Sequence, residues 1–428
     1  MLACLCAELG MAQSSGRTVR HHRIAEEDSS LPKELLEAES AIEKKDYANA
    51  EPLLKTVVER DPKNYRAWFD LGFVANASGK TEDSIAAYRK AVEAKPDVFE
   101  SNLNLGLMLA KAKQPDAEQF LRAATRLKPV DQVQQGKESA WMALGRVLEP
   151  TQSEDAIAAY REASQLQPKD PEPHLAAGAL LEKSNKFAEA ESEYKQVLAV
   201  DPKSPEALVG ISNIYARGHR LTEAAETLRQ LVSMRPEYAP GHFELARVLA
   251  ADGENDKAIA EFEAGLKISP EDRAAKKNLA QAYTSAAKYE QAQSMYQALL
   301  SATPNDADVH YALGLLLMKQ RKFAEAQEQF LTTVKLKPDL GAAYGDLAVA
   351  ANENKNFELA IRALDARAKL LPEIPVGYFL RATAYDHLRR YKEAAENYHL
   401  FLQVAEGKFP DQEWQARHRL IAIEPKKR

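Results

Sequence analysis

The chain has 428 residues, 45% hydrophobic and 28% charged, with a formal net charge of −6. That balance excludes the basic footprint of a nucleic-acid-binding domain, and no apolar run of about 18 residues offers a membrane-spanning helix. Cysteine occurs only at Cys4 and Cys6, so neither a disulfide framework nor a cysteine-bound zinc holds the fold.

The first dozen residues, MLACLCAELGMA, are apolar and small, and Gly10-Met11-Ala12 before Gln13 fits the small residues of a signal-peptidase site. No basic residue precedes the stretch and Glu8 interrupts it, so residues 1–30 carry two open readings. One is a signal peptide truncated at its start, followed by a disordered linker, in an exported or periplasmic protein. The other is an N-terminus of chance composition in a cytoplasmic protein.

From residue 31 the chain is periodic. Prolines fall at 62, 96, 129, 168, 202, 236, 270, 304, 338 and 372, at intervals of 34, 33, 39 and then 34 throughout. Each closes an amphipathic segment, where a ring that cannot continue a helix stops it. Aligned on these prolines, one column holds Ala38, Gly72, Gly106, Gly145, Gly178, Ser212, Ala246, Ala280, Gly314, Ala348 and Ala382. A second holds Ala50, Ser84, Ala117, Ala156, Ala190, Ala224, Ala258, Ala292, Ala326, Ala360 and Ala394. Only small residues at these places imply two helices crossing closely. Four residues after the second column comes a large side chain such as Tyr88, Tyr160, Phe262 or Phe330, one helical turn away on the same face. Each unit therefore has two helices joined by polar turns such as Ser78-Gly79-Lys80 and Asn185-Lys186. No sustained period-two alternation marks a strand.

Trp68-x2-Leu71-Gly72 with Tyr88 and Pro96, and Trp141-x2-Leu144-Gly145 with Ala156, Tyr160 and Pro168, resemble the tetratricopeptide repeat. The resemblance covers about eleven repeats, and residues 31–410 are read as the array. Departures are local. The first repeat lacks the Leu-Gly pair, the fourth carries the insertion VDQVQQ, and the last has Arg381 where leucine is usual. Residues 411–428 are expected to form a capping helix with Trp414, Leu420 and Ile421, then a basic tail. The family implies an all-α solenoid, a right-handed superhelix of stacked helix–turn–helix repeats.

Chemistry-bearing motifs are lacking. Gly79-Lys80-Thr81 has Val74 where a phosphate-binding loop needs glycine, and it joins two helices. His174, His242 and His310 take the place of Trp68 in their repeats, two repeats apart, and cannot converge on one ion. No catalytic, cofactor-binding or metal residue is assigned, and no cofactor is expected.

In the family the concave surface is lined by fixed positions of each first helix. Here those positions are apolar near the N-terminus: Leu35, Phe69, Phe73, Leu103, Leu107 and Met142. They turn polar and basic in the middle, at Asn213, Arg217, Arg247, Lys277, Asn278 and Gln281 beside Phe243. Acids return at Asp346, Glu353 and Asp386. The central set suits a carboxylate or an acidic stretch of peptide. It resembles the family's carboxylate-binding grooves in residue types alone, because the lysine–asparagine–asparagine–lysine–arginine set is not in register. The expected function is a non-catalytic scaffold or adaptor holding an extended or helical segment of a protein or peptide partner. The alternative is an accessory subunit that presents substrate to a separate enzyme, such as a glycosyltransferase system. No nucleic-acid partner is expected, and the oligomeric state stays open.

Overall fold

The computed structural model describes residues 31–424. The expectations for residues 1–30 and for the basic tail lie outside the described residues. Among the described residues there are 23 helices and no strand. The chain forms two compact units, Met1–Gly218 and His219–Arg428.

The first unit runs through α1 (Lys33–Glu43), α2 (Tyr47–Arg60), α3 (Tyr65–Ala77), α4 (Thr81–Ala94), α5 (Phe99–Lys111) and α6 (Ala117–Arg126). It continues with α7 (Val133–Leu148), α8 (Ser153–Leu166), α9 (Glu172–Lys183), α10 (Phe187–Val200) and α11 (Pro205–Arg217). The second unit holds α12 (Leu221–Met234), α13 (Ala239–Ala251), α14 (Asn255–Ile268), α15 (Arg273–Ser285), α16 (Tyr289–Ala302) and α17 (Ala307–Lys319). After these come α18 (Phe323–Leu336), α19 (Gly341–Glu353), α20 (Phe357–Ala368), α21 (Pro375–His387), α22 (Tyr391–Ala405) and α23 (Pro410–Ile423). Within each unit the helices form antiparallel hairpins, and every second helix packs on the first helix of the next hairpin. Each unit is thus a helical repeat solenoid.

The two small columns hold the hairpins together. The residues of the alanine column are all buried, from Ala50 to Ala394. Its one exception, Ser84, donates its hydroxyl to the Gly72 carbonyl at 2.8 Å, so a polar atom fits there at no cost in unmet hydrogen bonding. The large residue one turn later lies over the glycine column. A Cβ at Gly72 would stand 2.7 Å from the Tyr88 ring, and one at Gly314 would stand 2.6 Å from Phe330. The space is therefore taken by a ring edge, which explains why only small residues occur there.

Every inner turn except that between α7 and α8 shares one geometry. Lys45, Gly79, Lys113, Asn185, His219, Gly253, Ala287, Arg321, Lys355 and Arg389 all have positive φ. At the third helix the Gly79 and Lys80 amides reach back to the Asn76 and Ala75 carbonyls at 3.0 and 2.9 Å, a Schellman closure. Only two of these ten residues are glycine, so eight side chains bear left-handed strain. Ala287→Gly and Arg321→Gly are each expected to stabilise the fold by about 0.5–1 kcal/mol. Higher thermal midpoints that add in the double variant would bear this out, and unchanged midpoints would refute it.

The insertion of the fourth repeat differs from expectation. Residues 130–132 form an irregular loop, but Val133 onward lengthens α7 to 16 residues. The loop is pinned where the Val130 amide donates to Glu100 Oε1 at 2.9 Å.

Arg381 sits buried at the leucine position of the last repeat. Its guanidinium donates to Glu373 at 2.9 Å and lies 3.2 Å from Asp365. An ion pair thus fills the place of an apolar contact. Helix α23 packs Ala416 and Leu420 with Phe401 and Ala405 of α22. Trp414 and Ile421, expected on the same apolar face, instead remain 60% and 77% exposed.

A candidate partner-binding face

The apolar N-terminal groove is largely filled by the fold itself. Leu35, Phe69, Leu103 and Met142 are no more than 4% exposed. Phe69 clusters with Leu105 and Met108, its ring 5.5 Å from that of Tyr88, so it packs within the core. Phe73 is half-buried, its ring 6.3 Å from Tyr47. A side chain that points toward a groove can still be covered when consecutive first helices stand close together.

Arg217 and Asn213 belong to the first unit, on α11. Asn213 is half-buried. Arg217 is exposed, with Nε 3.8 Å from a Glu182 carboxylate and its guanidinium 5.7 Å from the Phe187 ring. In the second unit α13 and α15 touch, and they carry the other five residues. Phe243 packs its ring against Gly265. Arg247 is exposed and donates to both oxygens of Glu244 at 2.8 and 2.6 Å. Lys277, half-buried, lies near Asp308, whose carboxyl is held low first by a hydrogen bond from Lys337 and then by both lysine charges. Asn278 is exposed, and Gln281 accepts a bond from the Tyr296 hydroxyl at 3.4 Å. All three cations therefore face acids of their own unit. The Arg217 pairing was invisible in the helix pattern, since Arg217 and Glu182 are far apart in the chain.

The histidines have a structural use. His242 and His310 place Nε2 at 3.0 and 2.9 Å from the carbonyls of Pro236 and Pro304. Trp68 Nε1 and Asn102 Nδ2 donate to Pro62 and Pro96 at 3.0 and 2.8 Å. In these four repeats the side chain at this place ties down the carbonyl of the preceding repeat's last proline. Gly79 has φ of +75° and belongs to a helix–helix turn. Among the described residues no group of three His, Cys, Asp or Glu side chains could hold a metal.

One buried acid does respond to pH. Glu138 of α7 is 8% exposed, and burial, followed by the charge of Asp170, pushes its carboxyl up to about 7. A raised folded value means that its stabilising share is complete below about pH 4.5 and is lost as pH rises through 7. Glu138→Gln should melt with the parent near pH 4. At pH 8 it should be more stable, by at most about 3 kcal/mol. Parallel melting curves across that window would refute the assignment.

The tetratricopeptide repeat family profile matches residues 35–98, 74–131, 175–239, 213–273 and 311–375, and a second profile of the same repeat matches 249–316. These matches cover more than half of the chain. The chain belongs to the tetratricopeptide repeat family. Tetratricopeptide repeat protein 37 of Xenopus laevis is 36% identical over 87 residues, which is 20% of this chain and 6% of that protein. This tetratricopeptide repeat protein thus spans a small fraction of that relative's length.

Among solved structures, the APC/C hetero-tetramer Cut9–Hcn1 is 15% identical with a TM-score of 0.40, covering 90% of this chain and 96% of that one. Yeast Tom70 is 14% identical with a TM-score of 0.39, covering 91% and 95%. YrrB, a TPR protein with an unusual peptide-binding site, is 20% identical with a TM-score of 0.38, covering 44% and 96%. Tetratricopeptide repeat proteins are generally scaffolds for protein partners. Among the described residues no helix is long and apolar enough to cross a membrane.

Proposed function

We propose that this tetratricopeptide repeat protein holds an extended or helical segment of a partner protein on the first-helix face of its second unit. The supporting observation is the strip of Phe243, Arg247, Lys277, Asn278 and Gln281 on α13 and α15, where a half-buried ring and the half-buried Lys277 accompany exposed Arg247 and two exposed amides. Amides bond a peptide backbone, and the two cations favour an acidic segment. Glu244 already neutralises part of Arg247, so an incoming carboxylate competes for the guanidinium rather than meeting a bare charge. Exposed pairs contribute only about 0.2–1 kcal/mol each, which limits the gain per contact.

The test is capture of partners by crosslinking and mass spectrometry, then affinity measurement with Arg247→Glu/Lys277→Glu. Roughly tenfold weaker binding at low salt, with a smaller loss at high salt, supports the strip. Unchanged affinity at both salt levels overturns it.

A further inference from the structure

The last described helix is built as the first helix of a hairpin. In α23 Trp414, Arg417, His418 and Ile421 repeat the spacing of Trp141, Leu144, Gly145 and Leu148 in α7. Its packing agrees with that register. Ala416 and Leu420 lie with Phe401 and Ala405 of α22, as every first helix lies on the second helix before it. In α7 the matching side is turned to α8, where Leu144 and Leu148 share a core with Tyr160 and the Tyr160 ring fills the space over Gly145. On α23 that side is open. Trp414 and Ile421 are the two most exposed large apolar side chains among the described residues.

The stripe between them is polar. Arg417 is bonded to Glu413 of its own helix at 3.1 Å. His418 leans on the Trp414 ring, with centroids 3.9 Å apart, and its Nδ1 donates to the Trp414 carbonyl at 2.9 Å. A second helix of the ordinary repeat does not fit on such a side. Its ring needs a small residue beneath it, and His418 stands at that place.

A second copy of α23 does fit. The helices of a hairpin are antiparallel, and so are two copies of one helix crossing at a twofold axis. Trp414 and Ile421 are two turns apart on one face, so in such a pair the indole of each copy meets Ile421 of the other. Residues 417 and 418 then lie nearest the axis. Charge agrees with this arrangement. Asp411 and Glu413 stand in the first turn, while Arg417, His418 and Arg419 occupy the second half. The acidic start of each helix thus runs beside the basic half of the other, with the helix dipoles opposed. Glu413 neutralises Arg417 and Asp386 holds Arg419 at 2.8 Å, so no bare guanidinium pair faces the axis.

We infer that α23 pairs with α23 of a second copy, each lying on the other's open side, and that the chain forms a twofold homodimer through this helix. One helix face per copy is small against the roughly 800 Å² per partner of a standard interface, so the dimer is reversible and depends on concentration. Helix α23 carries no residue of the strip on α13 and α15, so either assignment can fail without the other.

Sedimentation velocity of the 428-residue chain over a concentration series is the first measurement. A monomer–dimer equilibrium is expected, and Trp414→Glu/Ile421→Glu should weaken it at least about tenfold. Both side chains are open to solvent, so unchanged helical circular dichroism will show that the array is intact. The second measurement locates the contact. With Cys4→Ser and Cys6→Ser in place, His418→Cys should give a disulfide-linked dimer under mild oxidation, because residue 418 lies beside the axis. Glu271→Cys, on the exposed loop before α15, should not. A chain that stays monomeric at every concentration would overturn the inference and leave this face to a different protein. A dimer indifferent to Trp414→Glu/Ile421→Glu, or equal crosslinking at 418 and 271, would overturn it as well.

Discussion

Gly145→Val is expected to destabilise the first unit by about 3 kcal/mol, at the upper end of overpacking penalties. A Cβ at Gly145 would lie 2.5 Å from Tyr160 Cε1 and 2.8 Å from Cδ1. The ring cannot swing aside cheaply, because Tyr160 is fully buried and its hydroxyl donates to Glu149. At Gly106 the facing group is the flexible Leu121 side chain, so Gly106→Ala should cost less. Ala280, buried in one core with Tyr296, shows that this column can accommodate a single methyl. A branched side chain cannot.

Repeat arrays need not unfold as one unit, so the measurement has to be local. Trp68 and Trp141 report on the first unit, while Trp414 reports on the second. A variant carrying Trp414→Phe therefore isolates the relevant transition in urea. A midpoint equal to that of the parent would mean that the ring does not cover Gly145.

Arg381→Ala should cost about 3–5 kcal/mol, the range for breaking a buried pair from one side. The Arg381 side chain is 10% exposed and that of Glu373 16%, so the glutamate would be left covered and short of its main donor. Asp365, at 56% exposed, recovers water and contributes little. Arg381→Leu should cost less than the alanine change, since leucine restores the apolar contact made at this place by Leu71, Leu144 and Leu313. Thermal melts of both variants, followed by Trp414 fluorescence, decide the matter. Equal and small losses would show that the ion pair adds nothing to packing.

The strip on α13 and α15 was only partly legible in advance. Its residue types and their shared face followed from helical spacing. Glu244, three residues before Arg247 on α13, followed from the same spacing, but Asp308 beside Lys277 did not, because it belongs to α17. Phe69 was misplaced for a related reason. Its position in the repeat points toward the groove, but whether a groove side chain stays open depends on how closely neighbouring first helices approach.

The sequence by itself determined the period, the hairpin unit, the glycine and alanine columns and the rings that fill the space beside them. Each of these reports a contact that recurs from repeat to repeat, so eleven variants of one local packing problem reinforce one another. Tertiary structure alone decided what is not periodic. It set Ala287 and Arg321 in left-handed turns, where nothing in the side chain announces it. It turned Arg381 inward against Glu373 and left Trp414 and Ile421 of α23 facing out. Ion pairing and exposure depend on which single residue of a neighbouring helix lies opposite, and a repeat pattern averages that information away.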